Sequence, residues 1–428
     1  MLRFAFTTLL MIAAAAGAAD WPGWRGPTGQ GHSTDKELPL KWSPTENVRW
    51  KVPLSEGCNS TPIVWGDRVF ITQSSDKTMW PPRKLDGWPA GTSIGGPAVV
   101  EKRSVMCFHR ADGKILWQRD TIYKEPESTH GSSPMCNASP VTDGERVIAS
   151  HGSAGLVCYD FDGKELWKKD VGKMEHVWGN ASSPILHGEL CILWVGPGDR
   201  QVLLAVNKKT GATVWEHDEP GGDSGRDGKK FTGSWSTPII ARVGDQEQLI
   251  LSVPGKLKGF DPATGKVLWS YGTSTQGLVY HSPMYADGIA VTGGTAVKVE
   301  GAGDITRNRL WSKAGASVGS GIIVGTHFYV HSDGGAPRCY EMTTGKEIWA
   351  EQIEKRPGAT AWGSLVHAAG RLYITDQSGT TLVYAIGPKY EMLAANKLNE
   401  HTNASLAPSN GDIFIRTWKH LWCISEKK

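Results

Sequence analysis

Short apolar runs recur along the chain, each entered through a tight-turn dipeptide. Gly66-Asp67 precedes VFITQ (69–73), Asp143-Gly144 precedes VIAS (147–150), Asp287-Gly288 precedes IAVTG (289–293) and Asn410-Gly411 precedes IFIRT (413–417). Asp or Asn beside Gly suits hairpin turns that require positive φ. A further β-like run follows in SVMCF (104–108), GLVCY (155–159), LLAVN (203–207), LKGFD (257–261) and LVYAI (382–386). A turn ending in Trp recurs after such runs: DGKILW (112–117), DGKELW (162–167), TGATVW (210–215), TGKVLW (264–269) and TGKEIW (344–349). A degenerate copy, RNRLW, ends at Trp311; another has lost both Gly and Trp near residues 390–393, and RWKVPL (49–54) carries the Trp50 strand without a turn before it.

A second element recurs eight times in phase with the first: NSTPIV (59–64), NASPV (137–141), ASSPIL (181–186), WSTPII (235–240), YHSPMY (280–285), VGSGII (318–323), WGSLVH (362–367) and NASLAP (403–408). One hydroxyl position is common to all: Thr61, Ser139, Ser183, Thr237, Ser282, Ser320, Ser364 and Ser405. Together the runs predict eight four-stranded antiparallel meanders of about 51 residues each, a period within the propeller range. The last meander, ending HLWCISEKK, lacks its fourth strand, while a surplus Trp strand stands at the N-terminus around Trp50. Pairing the two removes an exposed sheet edge. The prediction is an all-β, eight-bladed β-propeller in which the N-terminal strand completes the last blade.

The recurring (D/T)-G-x-x-x-W turn, with a small residue upstream in the third strand, resembles the tryptophan-docking motif of quinoprotein-type propellers, the pyrroloquinoline quinone (PQQ)-like repeats. The likeness spans essentially the whole chain after residue 19, and WPGWRGPTGQGHS (21–33) looks like the start of secreted bacterial members. The resemblance implies that Trp50, Trp117, Trp167, Trp215, Trp269, Trp311 and Trp349 wedge between blades, each against the next blade's Gly. Quinoprotein dehydrogenases of this family bind the quinone beneath adjacent cysteines and beside calcium. Here no Cys-Cys pair and no C-x-x-C-H haem motif occurs, and the family's catalytic Asp has no counterpart that can be placed. The family also includes non-catalytic members, among them an outer-membrane assembly propeller.

Composition adds a compartment. Arg3, an apolar run from Leu9 to Ala16, and Gly17 and Ala19 before Asp20 read as a signal peptide over residues 1–19. The run is too short to span a bilayer comfortably, and no cysteine precedes Cys58. The expectation is a periplasmic or secreted protein, with residues 20–428 forming a single propeller domain and no integral membrane segment after cleavage. Its 46 basic and 43 acidic residues give a net charge of +3, which provides no electrostatic case for nucleic acid. A monomer is expected.

Cys107, Cys158, Cys339 and Cys423 fill the third-strand position held elsewhere by Ala205, Gly259 and Ala385, and read as packed, unreactive thiols, as does Cys191. Cys58 and Cys136 occupy matching positions before the inner strands of neighbouring blades. Two readings stay open: a disulfide in an oxidising compartment, which requires a Cα separation below about 7 Å, or two reduced thiols beside the channel. Of the N-x-S/T matches at Asn59, Asn137, Asn180 and Asn403, three coincide with the repeat register and Asn180 lies one residue earlier, so their repetition reads as blade symmetry rather than glycosylation.

Residues entering the inner strands should ring one mouth of the channel, where family members place ligands: Asn59, Asn137, Ala181, Trp235, Tyr280, Val318, Trp362 and Asn403, with His130, His176, His281 and His401 nearby. Aromatic plates with amides and imidazoles suit a sugar, a flat ring or a peptide. No residue is assigned a catalytic or metal-binding role, because the histidines sit at offsets that do not repeat. An insertion over residues 74–104 in the first blade, containing Trp80 and Trp88, is long enough to cover that mouth, dock a partner or lie flat on the rim. The reading is an exported, non-catalytic module binding a protein or glycan, with no cofactor. The competing class is an enzyme, either a PQQ- and calcium-dependent alcohol or sugar dehydrogenase with a diverged site or a hydrolase using channel histidines and acids.

Overall fold

The computed structural model describes residues 19–79, 83–84, 93–94, 98–127, 130, 133–222, 231–274, 277–313, 318–332, 334–352 and 359–426. Eight antiparallel sheets succeed one another along the chain and form the blades of a propeller. Blade 1 runs Ile63–Trp65, Arg68–Met79, Ala98–His109 and Ile115–Ile122 from axis to rim. Blades 2 to 7 occupy residues 141–169, 185–219, 239–272, 284–312, 322–350 and 366–397. In blade 8, Ala407–Ser409, Asp412–Arg416 and His420–Ser425 are completed by Val48–Pro53, with Trp50 opposite Cys423 and Val52 opposite Leu421. The two ends of the chain thus share one sheet. Two single-turn 3₁₀ helices are the only helical elements among the described residues, and none is long and apolar enough to cross a membrane.

The hydroxyl common to all eight repeats has a specific task. An inner strand faces the axis with its edge, so its outward N–H needs an acceptor from outside its own sheet. The hydroxyl of the next blade supplies it. Thr61 N–H donates to Ser139 Oγ (2.8 Å), Ser139 to Ser183 (2.9 Å), Ser183 to Thr237 (3.0 Å) and Thr237 to Ser282 (2.9 Å). Ser282 donates to Ser320 (3.0 Å), Ser320 to Ser364 (3.1 Å), Ser364 to Ser405 (2.9 Å), and Ser405 returns to Thr61 (3.1 Å). Eight bonds therefore form a closed circle around the axis, and only a residue with a short hydroxyl can serve.

Near the rim, the fourth-strand indoles fill the seams. Trp117 is buried with Ile63 and Phe70 of its own blade and with Val147 and Tyr159 of the next. Its Nε1 donates to Phe161 O (2.8 Å), and a Cβ placed on Gly163 would lie 2.7 Å from the ring. That glycine, at φ +81°, is needed both for its turn and for the close approach. Trp50, Trp167, Trp215 and Trp311 likewise donate to Arg110, Lys208, Pro262 and Met342 carbonyls over Gly113, Gly211, Gly265 and Gly345. Trp349 donates to Gly387 O (3.1 Å).

Trp269 departs from the expected wedge. Blade 5 has no tight Gly turn; its loop instead lays Gly303–Asp304 in parallel beside Trp269 and Ser270. Deprived of that seat, the indole turns back over its own sheet and donates to Gln248 Oε1 (2.8 Å). It also covers Gly259, where a Cβ would come within 2.2 Å, so this third-strand position must be glycine. The other blades set Cys107, Cys158, Ala205, Ala296, Cys339 and Cys423 opposite their Trp. In blade 7 the equivalent residue is Val383, not the expected Ala385, and it faces Ala394. With no indole to seat, a larger side chain fits.

The insertion after Ser74 is not a loose connection at its base. Arg68–Met79 and Ala98–His109 continue the blade ladder as far as Met79 opposite Ala98. Trp80 and Trp88 lie outside the described residues, as does the expected export segment up to residue 18.

Candidate ligand pocket

On the face where the inner strands begin, the channel widens into a cavity of about 520 Å³. All eight expected mouth residues line it: Asn59, Asn137, Ala181, Trp235, Tyr280, Val318, Trp362 and Asn403. They meet because each immediately precedes the hydroxyl ring by two residues, so strand alternation turns all of them the same way. Thr237, Ser320, Ser364 and Ser405 of the ring also line the cavity.

Three lining residues escaped the repeat argument: Trp24, Ser133 and Trp178. Trp24 closes the channel from the other side. The segment around it crosses that end of the ring as a strap, pairing Trp21 with Val64 of blade 1 and passing Pro22 O to Thr142 N of blade 2. Gln30 Oε1 then accepts Tyr285 N–H of blade 5 (2.6 Å), and Gly31 and Ser33 bond both sides of His367 in blade 7. Arg25, 2% exposed, donates through one terminal nitrogen to Gly321 O (2.7 Å). Burial lowers its pKa to about 9. The strap thus floors the cavity at Trp24, with a second cavity of about 540 Å³ between the strap and the inner strands of blades 2 to 5. The sequence carried one signal for this, the aromatic cluster Trp21 and Trp24 ahead of the first blade.

The pocket wall is stiff. Trp235 and Tyr280 stack at 5.5 Å and 27°, and Trp235 Nε1 donates to Gly179 O (2.9 Å). Trp178 stands edge-on to Trp235 at 6.2 Å and packs on Phe231 at 4.8 Å. The amides are oriented too: Asn59 Oδ1 accepts Trp418 Nε1 (3.0 Å), and Asn403 Oδ1 accepts Gln377 Nε2 (2.9 Å). Asn137 Nδ2 donates to Ser133 Oγ (3.0 Å), leaving its buried Oδ1 without a partner.

The four histidines do not converge. His130 lines the pocket, 6.4 Å from Trp178, and burial lowers its pKa. His176, 1% exposed, sits behind the wall with its ring 4.9 Å from Trp235. His281 belongs to a separate cavity with Ser252, Lys256 and Thr292. It follows Tyr280 directly, between the strands Leu278–Val279 and Met284–Ala286, yet the two residues line different cavities. His401 packs on Trp418 at 4.2 Å. Among the described residues no cluster of three or more His, Cys, Asp or Glu is arranged to hold a metal.

Cys58 and Cys136 are free thiols in the structure, as are the other five cysteines. Both are buried beside the pocket.

An eight-bladed ring with docked tryptophans and an axial pocket defines the class of PQQ-like repeat propellers. Residues 101–278 and 199–428 match the family described as outer membrane protein assembly factor BamB, and the chain belongs to that family. No curated protein matches. Solved structures show the same fold at low identity. BamB from Moraxella catarrhalis is 14% identical with a TM-score of 0.53, covering 84% of this chain and 98% of that one. A europium-containing methanol dehydrogenase is 12% identical, with a TM-score of 0.65 over 92% and 89%. The quinohemoprotein alcohol dehydrogenase from Comamonas testosteroni is 12% identical, with a TM-score of 0.64 over 97% and 82%.

Proposed function

We propose that the protein is a non-catalytic binding module, acting outside the cytoplasm, that takes an uncharged glycan end into its axial pocket. The observation that carries this reading is the chemistry of the lining. Trp24, Trp178, Trp235, Tyr280 and Trp362 offer five aromatic faces, and Asn59, Asn137 and Asn403 offer amides, while no carboxylate, lysine or arginine is among the described lining residues. Flat rings suit the apolar faces of a pyranose, and amides pair with its hydroxyls in either direction. A floor at Trp24 favours a chain end over a chain passing through. Membership of a family described by an outer-membrane assembly factor supports action beyond the cytoplasm and a scaffolding role for the outer faces.

The competing quinoprotein reading fits these residues poorly. PQQ carries carboxylates and its calcium partner requires oxygen ligands with charge; the pocket lining supplies neither a cation for the former nor a carboxylate for the latter. No step through such a group is derived.

The test is titration of the purified chain with neutral oligosaccharides, followed by tryptophan emission. A saturable change is expected, weakened about 5- to 150-fold in Trp235→Ala, since losing one stacked aromatic costs about 1–3 kcal/mol. A rise in melting temperature with PQQ and calcium, accompanied by dye-linked alcohol oxidation, would overturn the proposal.

A further inference from the structure

Beneath the two pocket amides Asn59 and Asn137 lie the two cysteines that precede them. Cys58 and Cys136 are separated by the same 78-residue interval as the ring-bonded pair Thr61 and Ser139, three residues further on. Both touch one face of the second strand of blade 1. Cys58 Sγ lies 3.1 Å from Ser74 Oγ and receives the Ser74 N–H at 3.4 Å. Thr72, two residues earlier, donates its hydroxyl toward Cys136 O (3.2 Å) and Ala138 O (2.8 Å). Thr72 and Ser74, two apart on the strand and so about 6.8 Å from each other, seat the two cysteines side by side, near enough for their thiols to interact electrostatically.

A third group points to what the pair does. Arg416 is 0% exposed and has no carboxylate among its hydrogen-bond acceptors. Its terminal nitrogens donate to Ser60 Oγ, Thr72 O and Gln73 Oε1, while its guanidinium also lies against the Cys58 thiol and within electrostatic reach of Cys136. Its Nε finds no acceptor. Two thiols bring two S–H donors to a group that can only donate; a disulfide has no S–H and presents acceptor lone pairs alone. Oxidation therefore removes a donor conflict in a fully buried place.

We propose that Cys58 and Cys136 form a redox site, a reversible disulfide that staples blade 1 to blade 2 directly under the pocket amides. The oxidant is a disulfide of another molecule, low-molecular-weight or protein-borne, acting before ring closure buries the thiols. One cysteine thiolate attacks a sulfur of that disulfide, forming a mixed disulfide and releasing one thiolate. The second cysteine thiolate then attacks the first cysteine's sulfur, closing the intramolecular bond and expelling the other thiolate. Two electrons and two protons pass to the oxidant, which ends as two thiols. The remaining five cysteines sit in strands or seams without this arrangement and stay reduced.

The experiment is refolding of the full chain in an oxidised and reduced glutathione buffer, then denaturing alkylation without reduction and mass spectrometry. Five alkylated cysteines and a peptide joining Cys58 to Cys136 are expected. Seven alkylated cysteines, or a bridge mapped to another pair, would overturn the site. Reduction of the folded product should lower its Tm by roughly 5 °C, the size expected for opening a loop of this length in a chain this large. The same reductant should leave the Tm of the C58A/C136A double variant unchanged; an equal drop there would also overturn the proposal.

Discussion

Removing one hydroxyl from the axial circle tests the structural argument most directly. In Ser405→Ala the Ser364 N–H loses its acceptor at 2.9 Å. Ser364 and Ser405 are 3% and 4% exposed and border the pocket, so water can approach only from that side. A buried donor left unsatisfied costs about 1–3 kcal/mol. Unfolding entropy of about 2.1 cal/mol/K per residue over roughly 400 residues converts this to a Tm fall of about 1–4 °C. Reversible urea unfolding followed by tryptophan emission measures the free energy, and hydrogen exchange of the peptide containing Ser364 localises it. That amide should exchange about 5- to 150-fold faster if exchange proceeds by local opening. Ser405→Thr keeps the hydroxyl and should cost less than half as much, since Thr61 and Thr237 already serve in the circle. By the same geometry, Ser139→Ala, which strands the Thr61 N–H, should cost the same within about 0.5 kcal/mol. A loss below about 0.3 kcal/mol in Ser405→Ala, or an equal loss in the threonine variant, would refute the claim that the hydroxyls act as acceptors.

Two further outcomes are expected. Asp412, 3% exposed, pairs with Arg49 and Arg110 at 2.9 Å each and joins blade 8 to the turn of blade 1; both arginines keep other acceptors and Arg49 is 40% exposed, so Asp412→Asn should cost about 1–3 kcal/mol in urea unfolding. Acidification should weaken the fold between pH 6.5 and 4. Burial holds His32 at about 4, with His367 and Arg25 adding to it, and holds His331 at about 4. In this window the unfolded chain binds protons that the folded one refuses, so stability rises with pH by up to about 1.4 kcal/mol per unit per histidine. Buried His151, lowered to about 3, contributes in the same window, so Tm measured against pH should lose part of its slope when His32 and His331 are replaced by Asn and most of it when His151 is replaced as well; an unchanged slope in the triple variant would show that other groups govern it.

Much of this molecule was legible because its defining interactions repeat. The Trp turn and the small residue opposite it, as in Cys107 with Trp117, are joined by a local hairpin, so their spacing is written into most of the blades. The hydroxyl contacts are longer in range, yet each links equivalent positions of adjacent repeats, so register marked the shared hydroxyl position and the lining residues two positions upstream, while the bonds themselves are seen only in the structure. Ring closure followed from counting strands.

What broke the repeat was settled only in three dimensions. Trp269 reads like its counterparts, but its seat belongs to another blade whose turn has changed, and no feature within TGKVLW records that. Tyr280 and His281 are neighbours in sequence that serve different cavities, in the short connection between the strands Leu278–Val279 and Met284–Ala286. The floor of the pocket depends on contacts such as Arg25 with Gly321, 296 residues apart. A period within the sequence specifies what each blade does for the next; a single strap crossing from blade 1 to blade 7 has no period, and its place is decided by the shape of the channel it closes.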